Sequence, residues 1–291
     1  MNSFKTFLLL LAITCLFLVC GELIAGKDGM IFAFFLSVIM NFFSYFFSDK
    51  VVLSMYKAKE LPRNLNADIY KVVDSLAVNA KIPTPRVFYI NSPVPNAFAT
   101  GRNPEHSVIA ITDGLFKLLS DEEIKGVISH EMSHIKNRDI AISCFAATIA
   151  SAIMLLARFA FFFGGGRSRN NNVNLVALLL MVILAPIAAA FIQMAISRSR
   201  EYLADETGAK ISRDPMSLAN ALKKLSAGNE KIKSSSVNPA TAHMFIVKPF
   251  SSKNLQHLFS THPPIEERIK RLEKMAQQVN DEKYKIPKVI Y

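Results

Sequence analysis

The chain has 291 residues, 51% of them hydrophobic, with a net charge of +11 and a mean hydropathy of +0.26. That apolar share is high for a soluble enzyme, and it is gathered into runs rather than spread evenly. No nucleic-acid motif or aromatic-basic interleaving accompanies the charge, so nucleic acid is excluded as a partner, and basic residues beside apolar runs fit an anionic membrane surface. Three cysteines (Cys15, Cys20 and Cys144) lie in or beside apolar runs. An odd count without paired spacing excludes a disulfide framework.

Phe4 to Ile24 is apolar apart from Lys5, Thr14 and Glu22, and Met30 to Phe47 is broken only by Ser37, Asn41 and Ser44. A helix crosses the hydrocarbon core in about 20 residues. With Gly26-Lys27-Asp28-Gly29 as a tight turn between them, residues 1–47 are expected to form a transmembrane hairpin. Lys5 and the Leu-rich run also suit a secretory leader. No small-residue cleavage site follows, however, and a second apolar run begins at once, which favours a retained anchor.

Residues 48–139 are polar. Arg86–Ile90, Asn96–Thr100 and Val108–Thr112 read as short strands, set off by Pro83, Pro85, Pro93, Pro95 and Pro104. Ser120 and Glu123 then form a capping-box pattern, and Ile124, Val127, Ile128 and Ile135 mark the apolar face of a helix. On it stands His130-Glu131-Met132-Ser133-His134. Residues i and i+4 project from one face, so both imidazoles can reach one metal, with Glu131 beside them to contact a water on it.

Residues 140–197 hold a second pair of apolar segments. The third, Ile140 to Phe163, contains Arg158; the fourth, Val173 to Ile196, contains Pro186 and Gln193; a Gly-, Ser- and Asn-rich linker joins them. Two crossings return the chain to its starting side, so the blocks 48–139 and 198–291 share one membrane face. In 198–291, 17 Lys/Arg stand against 10 Asp/Glu, and the positive-inside tendency places that face in the cytoplasm.

Two histidines leave a catalytic zinc short of a ligand, since such sites use three protein ligands plus water. The extension that would supply a third histidine is missing, because Asn137 and Ile140 stand at its glycine and histidine positions. The candidates are Glu201, Asp205, Glu206, His243, His257 and His262. Glu201 and Asp205 are four apart on an expected helix, so one can ligate while the other orients a histidine. An exposed acidic patch paired with Arg198 and Arg200 is the competing reading. Ile265, Ile269 and Leu272 mark a last helix after His262-Pro263-Pro264, and Ala227 to Ser260 reads as irregular, a flap or a loop.

This pattern resembles the HtpX family of bacterial membrane zinc endopeptidases, related to the eukaryotic prenyl-protein proteases. The resemblance covers nearly the whole chain. It rests on the two apolar pairs, Asn96-Ala-Phe-Ala-Thr-Gly101, His130-Glu-Met-Ser-His-Ile-Lys-Asn-Arg-Asp139, Arg200-Glu-Tyr-Leu-Ala-Asp205 and Thr261-His-Pro-Pro264. It implies an α+β membrane protein, mostly helical, with four transmembrane helices and a gluzincin-like protease domain carrying a small β-sheet. It implies one zinc per chain on His130, His134 and Glu201, with Glu131 as catalytic base. Asp205 and His262 would support the metal site. Asn96, which by sequence alone is a turn residue after Pro95, would contact substrate.

The expected activity is hydrolysis of misfolded or damaged membrane proteins at the cytoplasmic face of a bacterial inner membrane. The expected partners are peptide substrates and membrane lipid, with homo-oligomers left open. The rival is a zinc transporter or a metal-dependent scaffold. Transporters place ionisable ligands within their spans, whereas the His-Glu-His group lies outside them here. Prenyl-peptide processing is a third reading on which the sequence is silent.

Overall fold

The computed structural model describes residues 2–141, 143, 198–229, 244–247 and 263–283. Helical backbone runs through α1 (Asn2–Met55), yet it is not one rod. Gly26 has φ +62°, a conformation that costs glycine little. Asn41 Nδ2 donates to Thr14 Oγ1 at 3.0 Å across 27 positions. In a straight helix those residues would be about 40 Å apart. The chain therefore doubles back where the sequence placed a tight turn. Gly26–Phe47 has mean hydropathy 2.0 and is, among the described residues, the one stretch long and apolar enough to cross a membrane. Phe32, Phe35, Phe42 and Phe43 are exposed along it. The third and fourth apolar segments lie outside the described residues, apart from Ile140, Ala141 and Ser143.

A four-stranded sheet follows: β1 (Lys59–Glu60), β2 (Arg86–Ile90), β3 (Ala97–Thr100) and β4 (Val108–Thr112), in the order β1-β2-β4-β3. β2 runs parallel to β4, with Val87 opposite Ile109. β1 and β3 run antiparallel to their neighbours, and Ala97 sits opposite Ile111. The three predicted strands are present, with the second beginning at Ala97 rather than Asn96.

Side chains of a strand alternate between faces, and the two faces join different clusters. Val87, Ala97, Ala99, Ile109 and Ile111 belong to the main core, with Tyr70, Val73, Leu76, Ala77 and Ala80 of α2 (Ala67–Ala80). Phe88, Ile90, Phe98, Val108 and Ala110 cluster with Val52 and Leu53 near the end of α1, and with Met244. A sheet buried on both faces explains why β4 is apolar throughout until Thr112. It also joins the apolar N-terminal helix to the domain.

After α3 (Asp113–Leu118) comes α4 (Asp121–Lys136). Its capping box has formed: Glu123 N donates to Ser120 Oγ at 3.4 Å, and Ser120 N donates to Glu123 Oε2 at 2.8 Å. α4 packs against β3, against α5 (Arg198–Ser212) and against α6 (Pro215–Asn229). Asp214 caps α6 by accepting from Met216 N and Ser217 N, with Pro215 at its first position. α6 extends through Asn229, so Ala227 to Asn229 are helical and the stretch expected to be irregular begins later. α7 (Ile265–Lys283) packs on α5 and α6.

One close approach positions everything that follows. A Cβ on Gly208 of α5 would lie 2.9 Å from His130 Cα and 3.0 Å from its nitrogen. Only a glycine lets α5 come this near to α4. Glu201 and Asp205 lie seven and three residues before it, on the same face at helical spacing, and are carried to the histidines.

Candidate active site

His130 and His134 lie one turn apart on α4, and their Nε2 atoms face each other at 3.3 Å. Glu201 reaches in from α5. Its Oε2 is 3.8 Å from His130 Nε2, and its Oε1 is 3.7 Å from His134 Nε2. One ligand atom from each residue lies within 4.8 Å of the other two, and this is the one such group of three among the described residues. Tetrahedral zinc with bonds of about 2.0–2.1 Å holds neighbouring ligand atoms about 3.3–3.4 Å apart. The observed separations suit that ion after a small contraction, and two imidazoles with a carboxylate are a donor set zinc accepts.

A carboxylate stands at the far side of each imidazole. His134 Nδ1 is 3.2 Å from Asp139 Oδ2. His130 Nδ1 is 3.0 Å from Asp205 Oδ1, although the angle is not that of a linear hydrogen bond. Burial presses the His134 pKa down, but Asp139 and the charges of Glu201 and Glu131 together raise it to about 9. Without a metal the cluster thus keeps a proton, which is how an anionic cation site behaves. Burial works to raise the Asp205 carboxyl, and Arg268 outweighs it, holding the group below the ordinary carboxylate range.

Glu131 points toward β3 instead. Ala99 N donates to its Oε2 at 2.7 Å. Burial pushes its carboxyl above the ordinary range, against the pull of both histidines. The competing reading of Glu201 as part of an exposed patch does not hold, because Glu201 and Asp205 are both buried. Asn96 is buried too, and its Oδ1 accepts from Ile246 N at 3.3 Å, so this oxygen is engaged by the chain's own residues 244–247. His262, the expected supporting residue, lies outside the described residues, as do His243 and His257.

Sequence reasoning missed three participants. Asp139 follows His134 by five residues, a spacing at which two helix positions do not share a face. The Ala99 amide carries no side-chain signal. Arg268 lies on the buried face of α7, three residues after Ile265 and four before Leu272. A charged residue at an apolar-face position is the signal that could have found it.

Comparison with known proteins agrees with this geometry. The pattern of "Peptidase family M48" matches residues 63–276. A "Protease HtpX homolog" from Persephonella marina is 52% identical over 285 residues, spanning 96% of this chain and 99% of that protein. Its namesake in Pyrococcus furiosus is 52% identical over 278 residues, 94% of this chain and 96% of that one. Among solved structures, S. mikatae Ste24p aligns with 93% of this chain and 65% of its own, at 20% identity and TM-score 0.52. That likeness is one of fold. The match to the M48 pattern and the identity to full-length relatives place the chain in peptidase family M48, among the HtpX proteases, as a metalloendopeptidase.

Proposed function

We propose that the chain is a membrane-integrated endopeptidase holding one zinc ion on His130, His134 and Glu201, with Glu131 as general base. The convergence of the three ligand atoms beside a buried carboxylate carries this reading. Zinc, when bound, would supply Lewis acidity toward water and the scissile carbonyl. Asp139 and Asp205 would hold the Nδ1 sides of the imidazoles, so that both Nε2 atoms keep facing one point. The Ala99 amide fixes Glu131 Oε2 and leaves Oε1 to take a proton from the attacking water and pass it to the leaving amine.

β3 stands at the end of the sheet order and beside α4. An extended peptide can add to such an edge through main-chain hydrogen bonds. Asn96, immediately before that strand, would then face substrate through whatever its bond to Ile246 leaves free.

The membrane arrangement rests on α1 and on connectivity. α4 and α5 pack together, so a chain that leaves near Ser143 and returns at Arg198 must cross a membrane an even number of times. Two crossings by residues 140–163 and 173–196, added to the α1 pair, make four. The basic excess of residues 198–291 supports an active site on the cytoplasmic face of a bacterial inner membrane. A site so close to the lipid boundary suits exposed segments of misfolded or damaged membrane proteins, a quality-control role.

Glu131→Gln tests the assignment. The detergent-purified variant should keep zinc and lose about 10²–10⁴-fold in casein hydrolysis, the range for a positioned general base. Wild-type hydrolysis by this variant would refute the role of Glu131.

A further inference from the structure

Arg268 is a fully buried cation. An arginine in a protein interior is costly unless every part of its fork is met. Nε donates to Asp205 Oδ2 at 2.8 Å, and Nη2 donates to Asp205 Oδ1 at 2.7 Å. Nη1 donates to the Ile246 carbonyl at 3.1 Å and lies 3.7 Å from Glu201 Oε2. One guanidinium therefore touches the carboxylate behind His130, the carboxylate facing both histidines, and the segment that engages Asn96.

We infer that Arg268 is a positioning residue for the metal centre, acting through Asp205 to orient His130 and through its end nitrogen to aim Glu201. A bidentate fork fixes the plane of a carboxylate, not only its charge. Asp205 Oδ1, shared between Arg268 and the Nδ1 side of His130, is thereby held where it can steer the ring. Glu201 Oε2 lies between His130 Nε2 and Arg268, and this leaves Oε1 toward His134. Ile246 offers its carbonyl to Arg268 and its amide to Asn96. The same fork thus ties the metal site to the start of β3, where a peptide would lie.

The inference rests on the reading of His130, His134 and Glu201 as zinc ligands, and its test separates the two. Zinc dissociation constants would be measured by competition with a chromophoric chelator on the full detergent-solubilised chain. The proteins are wild type, His134→Ala, Asp205→Asn, Arg268→Gln, Arg268→Lys and the Asp205→Asn/Arg268→Gln double variant. Arg268→Gln should bind zinc about 10–100-fold more weakly, as expected for loss of a group that orients a ligand. Arg268→Lys should also bind more weakly than wild type, because an ammonium keeps the charge but not the fork.

The double variant should be weaker than Asp205→Asn by a smaller factor than separates Arg268→Gln from wild type, since Arg268 acts in part through Asp205 and coupled residues are not additive. A purely structural arginine would lower thermal stability and leave zinc affinity alone. Arg268→Gln can unfold by leaving Asp205 buried without its cation. The double variant removes both charges, and together with Arg268→Lys it then decides the question. Wild-type affinity in Arg268→Lys, or losses that multiply in the double variant, would overturn the inference. No zinc uptake by wild type, or full affinity in His134→Ala, would instead overturn the ligand reading beneath it.

Discussion

Glu201 and Asp205 share one face of α5, yet their surroundings divide the work between them. Glu201 faces both Nε2 atoms, while Asp205 lies behind His130, gripped by Arg268. Glu201→Gln should therefore weaken zinc binding beyond the about 10–100-fold expected of Asp205→Asn. Equal losses, read by metal analysis after dialysis, would contradict the division. A second consequence concerns protons. In the metal-free protein His134 is protonated up to about pH 9, whereas a metal needs the neutral ring. Zinc affinity should rise with pH, falling about tenfold for each unit below that value as one proton is displaced. A flat affinity between pH 6 and pH 8 would show that no such proton is held.

At the scale of elements, much was legible where the signal is local. Proline-bounded β-branched runs placed β2 and β4 at their observed limits, and Ser120 with Glu123 marked the start of α4. The reversal at Gly26 followed from a glycine-flanked polar break between two apolar runs. Apart from the approach of Glu201 to His130 and His134, which two intervening apolar runs imply, pairing of distant elements was not legible. The bond from Ile246 to Asn96 spans 150 positions, and from sequence alone Asn96 read as a turn residue. Asp205 and Arg268 lie 63 positions apart, and the arginine was hidden because helical periodicity counts apolar residues and passes over a charge among them. The pairing of α4 with α5 depends on Gly208, whose role appears only once the two helices meet.

With native cysteines removed, single cysteines at Glu122 and Glu206 should react with an impermeant maleimide from one side of the membrane. Single cysteines at Lys27 and Ser168 should react from the other. Labelling of Glu122 and Glu206 from opposite sides would defeat the four-span arrangement.

For the molecule as a whole, the parts form one connected device. The α1 hairpin enters the sheet cluster through Val52 and Leu53. The sheet presents Ala99 to Glu131. α4 and α5 bring His130, His134 and Glu201 together beside Gly208, and Arg268 of α7 stands behind them. The apolar N-terminal helix, the sheet edge at β3 and the His130–His134–Glu201 cluster are thus linked within one domain, as the proposed enzyme at a lipid boundary requires. On the proposed function, peptide hydrolysis depends on one zinc in that domain. The most direct test titrates zinc into the metal-free, detergent-solubilised protein and follows casein hydrolysis against zinc per chain. That dependence requires no hydrolysis without zinc, and a linear rise that breaks at one zinc per chain. Hydrolysis by the metal-free protein, or none at any zinc loading, would contradict it.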